Sequence, residues 1–225
     1  MKIYVVGSSK NKFLPLDDIR EKFLIDQPHD GDNIDFLNPW YCELTGLYYL
    51  WKHVDDDIVG LEHYRRYFVN SKNKLLSEND INNILNEYDI IAPYQYNKRN
   101  EWYCNPNEML FGRISILNKM PIARNHALFF IRKNNEDFWK YIKNIWLYKK
   151  YIISNNMFIC KKEIIDEYCK FILNSLNENI EFYKADLNKN TKRIYGYITE
   201  CLFGAWLEYK NYKIYHGKLR LTCKK

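Results

Sequence analysis

Two hydrophobic patterns alternate along the chain. Short apolar runs at residues 2–6, 58–61, 88–92 and 155–160 are rich in β-branched and aromatic residues and predict buried strands. Between these runs, apolar residues recur every three or four positions, as on one face of an amphipathic helix. Helices are predicted in this way at residues 38–53, 77–87, 105–119, 134–146, 161–176 and 191–209, and a last strand at 213–221. A first strand followed by alternating helices and strands predicts an α/β protein with crossover helices.

The apolar run at residues 58–61 differs from the others because it leads without a spacer into Glu62, His63, Arg65 and Arg66. In an open α/β sheet, ligands bind at the carboxyl ends of the strands. These four residues are therefore the first candidates for a functional site. If the strand continues, His63 and Arg65 project from the same face of it, and we expect that pair at the site. The alternative is a structural network of ion pairs around the arginines.

Two loops provide further candidates. Val6 ends the first predicted strand, and Gly7 begins a loop of small residues where a ligand can approach backbone N–H groups. A polar turn at residues 29–33 contains Asp32 and Asn33, which suit a ribose or a metal ion. Both loops are also explained as ordinary turns, because Gly, Ser, Asp and Asn are common turn residues.

The segment that follows the third predicted strand is too polar for a core and too aromatic for an ordinary linker. Its composition fits a loop that covers a bound substrate, and the candidate residues in it are Tyr94, Tyr96 and Trp102. Two amides, Asn155 and Asn156, come just before the apolar part of a later strand. They either bind a substrate group or close a turn.

Two predicted helices carry carboxylates of interest. Glu43 lies early in the first predicted helix, where a negative charge interacts favourably with the helix dipole. Glu200 lies one turn after Tyr197 in the last predicted helix, which also contains Gly196 and Gly204. A glycine inside a helix costs about 1 kcal/mol relative to alanine, so close packing or a ligand is expected to offset it.

Composition narrows the class of protein. A chain of 225 residues with 47% hydrophobic residues buries a sizeable core, and we expect one domain over residues 1–225. The net charge is +6, from 34 Lys and Arg against 28 Asp and Glu. This mild excess argues against a nucleic-acid-binding protein but suits a nucleotide ligand or an anionic membrane surface. Aromatic residues reach 17%, which suits a sugar ligand or reflects a general compositional bias.

Cysteine use and hydropathy predict the cellular location. The six cysteines form no C-x-x-C pair and no zinc-binding spacing, so we expect reduced thiols. The first apolar run is too short for a secretion signal, and no run reaches the roughly 18 apolar residues of a membrane span. These features predict a soluble cytoplasmic protein, and they leave open a peripheral contact with the inner face of the cell membrane.

Several stretches of the chain share one known pattern. They are residues 31–34, 38–45, 58–68, 156–159, 161–169, Arg193 and residues 196–200. Together, and above all through the His-Tyr-Arg-Arg-Tyr sequence at residues 63–67, they resemble a domain family of unassigned function found in bacterial capsule and exopolysaccharide biosynthesis proteins, which are described as glycosyltransferases. The resemblance implies a GT-A-like fold in a single domain, with an open mixed sheet and helices on both faces.

The resemblance also implies a reaction. The expected enzyme transfers a hexose from a nucleoside-diphosphate sugar to a growing capsule, exopolysaccharide or O-antigen glycan. UDP-hexose is the most expected donor, and the acceptor glycan is either free or linked to a lipid. The leaving diphosphate gathers negative charge, which a metal ion or fixed cations must neutralise. The predicted donor-binding residues are Val6, Gly7, Asp32, Asn33, His63, Arg65 and Arg66. The predicted acceptor-binding residues are Tyr94, Tyr96, Trp102, Asn155, Asn156 and Tyr197.

In an inverting transfer a carboxylate takes the proton of the acceptor hydroxyl. Glu200 is the favoured candidate, and Glu43 and Asp32 are the alternatives. No cofactor is assigned, and a divalent Mn or Mg ion is left open. An Asp-x-Asp metal-binding pattern is present at residues 55–57, but it precedes its strand and is interpreted as a solvated turn. The competing function is a non-catalytic module that binds a glycan or a nucleotide.

Overall fold

The structure is a computed structural model that describes residues 1–96, 106–112, 116–153 and 155–222, without the side chains of residues 94–96, 151 and 152. The strands are β1 (Lys2–Gly7), β2 (Arg20–Leu24), β3 (Ile58–His63), β4 (Arg66–Phe68), β5 (Ile90–Tyr96), β6 (Tyr151–Ile153), β7 (Phe158–Lys161), β8 (Ile214–Gly217) and β9 (Leu219–Leu221). The α-helices are α1 (Asn38–Tyr41), α2 (Leu44–His53), α3 (Glu78–Leu85), α4 (Pro106–Phe111), α5 (Pro121–Asn134), α6 (Glu136–Asn144), α7 (Lys162–Phe182) and α8 (Ile194–Tyr209).

The strands of the described residues form one mixed sheet. Its main path has the order β2-β1-β3-β7-β5-β6, while β4 pairs with β3, β9 with β4, and β8 with β5. β1 runs parallel to β2 and β3, whereas β7 runs antiparallel to both β3 and β5. The register places Val6 of β1 opposite His63 of β3. Both strands therefore end at the same edge of the sheet.

Successive residues of the central strands point to opposite faces of the sheet. In β3, Val59 and Leu61 join a large apolar cluster that includes the buried sides of α2, α5, α7 and α8. Ile58 of the same strand packs against a smaller cluster that contains Ile81 of α3. The predicted α/β class, an open mixed sheet with helices on both faces, is therefore confirmed.

Helix α8 lies in the interior beside the sheet, and twelve of its sixteen residues are buried. Because burial extends around most of its circumference, a polar side chain on α8 must either find a buried partner or face an internal space. Gly204 allows α8 to approach β6 closely, since a Cβ there would lie 2.6 Å from the carbonyl oxygen of Ile153. Close packing thus accounts for this glycine inside the helix.

The prediction of one continuous helix at residues 38–53 is wrong. Cys42 has a φ of 52° and interrupts the helical path, so that α1 and α2 are separate helices. Glu43 follows this interruption and is buried. The break removes Glu43 from the early part of one long helix, where the sequence placed it, and turns it toward the interior.

Other differences concern elements without a clear hydrophobic period. The prediction missed β2, β4, β6 and α5. The helix predicted at 105–119 consists, within the described residues, of α4 and a separate 3₁₀ turn at Ile116–Lys119. The strand predicted at 213–221 is two strands, because the chain changes partner from β5 to β4 after Gly217. A Cβ at Gly217 would lie 2.5 Å from Cδ1 of Phe68, so only glycine permits this approach.

Two further predictions concern cysteines and membranes. Cys42, Cys160, Cys169 and Cys201 are free thiols. No helix in the part of the chain that the structure describes is long and apolar enough to cross a membrane.

Candidate active site

A cavity opens at the sheet edge where β1 and β3 end. Its volume is about 750 Å³, which lies within the range of small-molecule binding sites. The N–H of Tyr64 donates a hydrogen bond of 2.9 Å to the carbonyl of Val6 and joins the two strand ends. The polar residues that line the cavity are Asn11, Asn38, Glu43, His63, Tyr64, Arg65, Arg66, Asn155, Arg193, Tyr197 and Glu200.

The His-Tyr-Arg-Arg sequence forms a tight hairpin rather than a continued strand. β3 ends at His63, Tyr64 and Arg65 form the turn, and β4 begins at Arg66, directly opposite His63. The expectation that His63 and Arg65 project from one face of a single strand is therefore wrong. The hairpin brings Arg66 beside His63 instead, with Nη1 of Arg66 3.4 Å from Nδ1 of His63. All four residues of the hairpin line the cavity.

His63 is a neutral imidazole. Burial and the guanidinium groups of Arg66, Arg65 and Arg193 lower its pKa to about 3. Because Nδ1 accepts from Arg66, the ring proton is on Nε2, which is buried and has no hydrogen-bond partner among the described residues. An unsatisfied N–H beside a cavity is the arrangement expected of a group whose partner is a ligand.

Three guanidinium groups border the cavity. Arg65 and Arg66 come from the hairpin, and Arg193 comes from the start of α8. Arg193 has a φ of 67°, and its N–H donates to the carbonyl of Pro39 at 2.8 Å, which fixes α8 against α1. Its guanidinium carbon lies 5.0 Å from the ring centroid of Tyr197. Guanidinium groups keep their charge and match phosphate oxygens in geometry, so this cluster suits a phosphorylated ligand.

Two carboxylates face the same space. Oε1 of Glu43 accepts a hydrogen bond of 2.7 Å from Nδ2 of Asn156, and Glu200 projects from α8. Burial, followed by the charge of Glu43, raises the pKa of Glu200 to about 7, against the opposing effect of Arg66 and Arg193. Burial also raises the pKa of Glu43, whereas Asn156 lowers it. The two acids resist ionising together, so the pair retains one proton close to neutral pH.

Asn155 and Asn156 form a turn with φ values of 73° and 48°, a conformation that asparagine adopts more readily than most residues. Asn155 lines the cavity. Asn156 does not line it, because its amide is buried and donates to Glu43 and, at 3.0 Å, to Oγ1 of Thr199 on α8. The structure therefore places Asn156 behind Glu43, and its predicted contact with an acceptor finds no support here.

Glu62 is not part of the cavity, although the sequence placed it with His63 and the arginines. It is wholly buried, and Nε of Arg20 donates to its Oε2 at 2.8 Å. The N–H of Phe68 donates to its other carboxylate oxygen, also at 2.8 Å. Alternation along β3 sends Glu62 and His63 to opposite faces, so Glu62 is a buried ion-pair partner in the core.

Val6 and Gly7 line the cavity, but the N–H groups of the loop that follows them are already bonded. The N–H of Ser8 donates to Oδ1 of Asn11 at 2.7 Å, and the next N–H donates to Oδ1 of Asp26 at 2.7 Å. The expected ligand contacts with these N–H groups are therefore not available in this conformation.

The polar turn that contains Asp32 and Asn33 lies outside the cavity lining. Nδ2 of Asn33 donates to the carbonyls of His29, at 2.7 Å, and Gly31, at 3.0 Å. Asp32 accepts a hydrogen bond of 2.8 Å from the hydroxyl of Tyr48. Asn33 stabilises the turn itself and Asp32 connects it to α2, so the structure does not bring either side chain to the other predicted donor-binding residues.

Three predicted acceptor contacts lie outside the described structure. Trp102 falls outside the described residues, and no side chain is described for Tyr94 and Tyr96. Their roles stay predictions. Tyr197, by contrast, lines the cavity from α8.

Sequence reasoning left Arg193 out of the predicted donor site. A usable signal is its spacing, because Arg193, Tyr197 and Glu200 lie at i, i+4 and i+7 on one side of α8. Cys42 also lines the cavity, and burial, with the charge of Glu43, raises the pKa of its thiol to about 11. No spacing signal in the sequence indicates Cys42.

The side chains that line the cavity do not fit a divalent cation. No group of three or more His, Cys, Asp or Glu side chains within the described ranges is arranged to hold a metal ion. The carboxylates that line the cavity are Glu43 and Glu200, and Glu43 is already bonded to Asn156. The positive charges of the three guanidinium groups beside this pair repel an added divalent cation. The side chains present therefore do not fit Mn²⁺ or Mg²⁺. The aspartates at residues 55–57 precede β3, at the end of that strand away from the cavity.

Comparison with known proteins places the chain in a family. The model of the family described as a domain of unknown function, DUF4422, matches residues 2–211. The chain belongs to this family. Its fold is similar to a solved structure described as the apo structure of the WbbM bifunctional glycosyltransferase, with a TM-score of 0.78 and 21% sequence identity. The similarity covers 99% of this chain and 45% of that chain, so this chain spans less than half of that protein. A search of curated proteins gives no match.

The DUF4422 match includes every residue that lines the cavity, from Val6 to Cys201. It also includes the segments on which the resemblance in the sequence rests. The cavity is thus part of the domain that defines the family, and the fold of that domain is one that a glycosyltransferase structure also has.

Proposed function

We propose that this protein is a glycosyltransferase that moves a hexose from a nucleoside-diphosphate sugar to a growing glycan. One observation carries the proposal: a single cavity combines three guanidinium groups with a carboxylate whose pKa is raised to about 7. The cations suit a diphosphate, and the carboxylate suits the removal of a proton at neutral pH. The fold similarity to a structure described as a glycosyltransferase supports the same reaction class.

In this proposal the diphosphate binds to Arg65, Arg66 and Arg193. When the bond between the anomeric carbon and the diphosphate oxygen breaks, its electron pair stays on the leaving diphosphate, which gains negative charge. Fixed guanidinium groups stabilise that charge as it develops, without a metal ion. Nε2–H of His63 supplies a further hydrogen bond to an oxygen of the donor and adds no charge.

Glu200 is the proposed base. The oxygen of the acceptor hydroxyl attacks the anomeric carbon, and its proton moves to the carboxylate of Glu200, which gives an inverting transfer. With a pKa of about 7, Glu200 is ionised in roughly half of the molecules at neutral pH. Glu43, held by Asn156, is the neighbouring charge that keeps this pKa high. Tyr197 and Asn155, which line the cavity, are proposed to contact the acceptor.

The identity of the substrates rests on the family resemblance of the sequence segments, above all residues 63–67, and stays a prediction. The resemblance favours a UDP-hexose donor and a capsule, exopolysaccharide or O-antigen glycan as acceptor. A cytoplasmic location, with a peripheral contact at the inner face of the membrane left open, is predicted from cysteine use and hydropathy.

The test is an assay of nucleoside diphosphate release from a panel of nucleoside-diphosphate hexoses, with and without glycan acceptors and EDTA. We expect release that depends on the acceptor and is unchanged by EDTA. Arg65→Ala and Arg66→Ala are each expected to lower kcat/KM about 100-fold, the effect typical of removing one stabilising group from a developing charge. Arg220→Ala is the matched control, because Arg220 is exposed on β9 and does not line the cavity.

Three results would contradict parts of the proposal. Saturable binding of a nucleotide sugar with no release across the panel would instead support the non-catalytic binding module. Normal turnover in a purified, folded Arg66→Ala variant would show that the guanidinium cluster does not hold the leaving group. Loss of activity in EDTA, restored by Mn²⁺, would overturn the metal-independent mechanism.

A further inference from the structure

Helix α5 and the end of α7 expose large apolar side chains. Ile122 and Phe129 are 68% and 55% exposed, and Phe182 is 72% exposed. Ile122 and Phe129 are seven residues apart and share one side of α5. The ring of Phe130 connects the two helices, with its centroid 5.2 Å from Phe129 and 6.0 Å from Phe182. Three large apolar side chains exposed on neighbouring helices indicate a binding surface.

Four cations without an ion-pair partner among the described residues lie around these side chains. α5 contains no acidic residue. Lys119 comes just before α5, Arg132 lies one turn after Phe129, and Lys143 and Lys184 are exposed on α6 and just after α7. None of these four cations forms an ion pair within the residues that the structure describes. We call the exposed apolar residues Ile122, Phe129 and Phe182, together with these four cations, the α5 face.

The acids near the α5 face offset only part of this positive charge. Glu178 lies 3.0 Å from Nζ of Lys133, and Glu136 and Asp137 share one cation, at 3.5 and 3.3 Å from Nζ of Lys140. Asp186 contacts His126 of α5, and Glu181, near the end of α7, is exposed. The four unpaired cations therefore leave a small excess of positive charge, and the complementary partner is anionic.

A small cavity adjoins the α5 face where α5 meets α6. Its volume is about 210 Å³, and it is lined by Arg132, Glu136, Trp139, Lys140, Lys143 and Asn144. Arginine and lysine bind phosphate oxygens, and an indole ring is favourable at the level of lipid headgroups. The cavity thus has the chemistry to receive one anionic headgroup.

We propose that the α5 face docks this protein on the surface of an anionic phospholipid bilayer. Its three apolar side chains enter the boundary between headgroups and acyl chains, while the unpaired cations contact lipid phosphates, as in amphipathic helices that lie in a membrane interface. The 3₁₀ turn before α5 contributes Ile116 and Leu117 to the wall of the larger cavity. Docking through α5 therefore places that cavity next to the membrane, where a lipid-linked substrate is presented.

Vesicle sedimentation with the full chain tests this proposal without reference to catalysis. We expect binding to vesicles of phosphatidylethanolamine and phosphatidylglycerol, and at least about tenfold weaker binding to phosphatidylcholine alone or in roughly 0.5 M NaCl. The double variant Phe129→Ser, Phe182→Ser and the double variant Arg132→Glu, Lys143→Glu are each expected to weaken binding at least about tenfold. Their thermal unfolding is measured alongside, to show that they are folded.

The matched controls make the same kinds of substitution outside the α5 face. The double variant Phe36→Ser, Tyr148→Ser removes two rings that are 75% and 76% exposed. The double variant Lys10→Glu, Lys218→Glu changes the net charge by as much as Arg132→Glu, Lys143→Glu does. Both controls are expected to bind as the unchanged protein does. No binding to phosphatidylglycerol vesicles, or equal losses in the controls, would overturn the proposal. A stable dimer that the Phe129→Ser, Phe182→Ser variant dissociates would also overturn it, by showing that a second copy covers the α5 face.

Discussion

The substitution Glu43→Gln tests the electrostatic coupling of the two carboxylates. It keeps the shape of the side chain and an oxygen for Asn156, but it removes the negative charge beside Glu200. The pKa of Glu200 is raised from 4.5 to about 7, which corresponds to about 3 kcal/mol in favour of the protonated carboxyl. Burial is the larger cause and the charge of Glu43 the second. We therefore expect the pKa of Glu200 to fall by about 1 in the variant, to about 6.

The measurement is kcat as a function of pH, from about pH 5 to about pH 9, at saturating donor and acceptor. A base must be ionised to act, so activity of the unchanged protein rises with pH through the pKa of Glu200, at about 7. In Glu43→Gln this rise is expected about one pH unit lower. Asp32→Asn is the control, because it removes a carboxylate that does not line the cavity.

Several results would refute this reasoning. A rise at an unchanged pH in Glu43→Gln would show that the two carboxylates are not coupled, and a rise at higher pH would reverse the predicted sign. If Glu43→Gln has no activity at any pH while Glu200→Gln retains it, Glu43 is the base. The comparison of the two glutamine variants therefore decides which carboxylate accepts the proton.

Three further predictions concern stability. Glu62→Gln is expected to lower the free energy of unfolding by about 3 kcal/mol in urea titrations, because the buried charge of Arg20 then keeps only the more exposed Asp17 as an ion-pair partner. Gly204→Ala is expected to lower it by at least about 2 kcal/mol, since the added Cβ meets the carbonyl of Ile153 at 2.6 Å. Glu200→Gln is expected to raise it by up to about 3 kcal/mol above the pKa of about 7 and to leave it unchanged below pH 4.5, because the carboxyl of Glu200 ionises from pH 4.5 upward in the unfolded chain but only near pH 7 in the folded protein.

Much of the fold could be predicted from local sequence patterns. β1, β3, α3 and α8 were predicted close to their observed positions, and α7 begins where it was predicted but continues to Phe182. Their apolar residues form the short runs or the regular stripes that are typical of strands and helices. β2 has the burial pattern buried, exposed, exposed, buried, intermediate, which follows neither period. Its place is fixed by pairing with β1, a contact that no local pattern reveals.

Part of the candidate site was also predictable. The sequence placed a His and Arg cluster at the carboxyl end of a strand, and the cavity lies there. It also indicated Glu200, Tyr197 and Asn155, which line the same cavity. The position of the His and Arg cluster was predictable because a polar cluster that directly follows a buried strand is carried to the edge of the sheet by the strand itself.

Only the tertiary structure decided how those residues work together. The turn at Tyr64 and Arg65 paired His63 with Arg66, where a continued strand would have paired it with Arg65. The break at Cys42 buried Glu43. Contacts between residues far apart in the chain then joined Glu43 to Asn156 and set it beside Glu200. Burial and neighbouring charge, which determine the pKa of each group, depend on distances across the fold, so the sequence by itself named the charged residues and the fold determined their protonation.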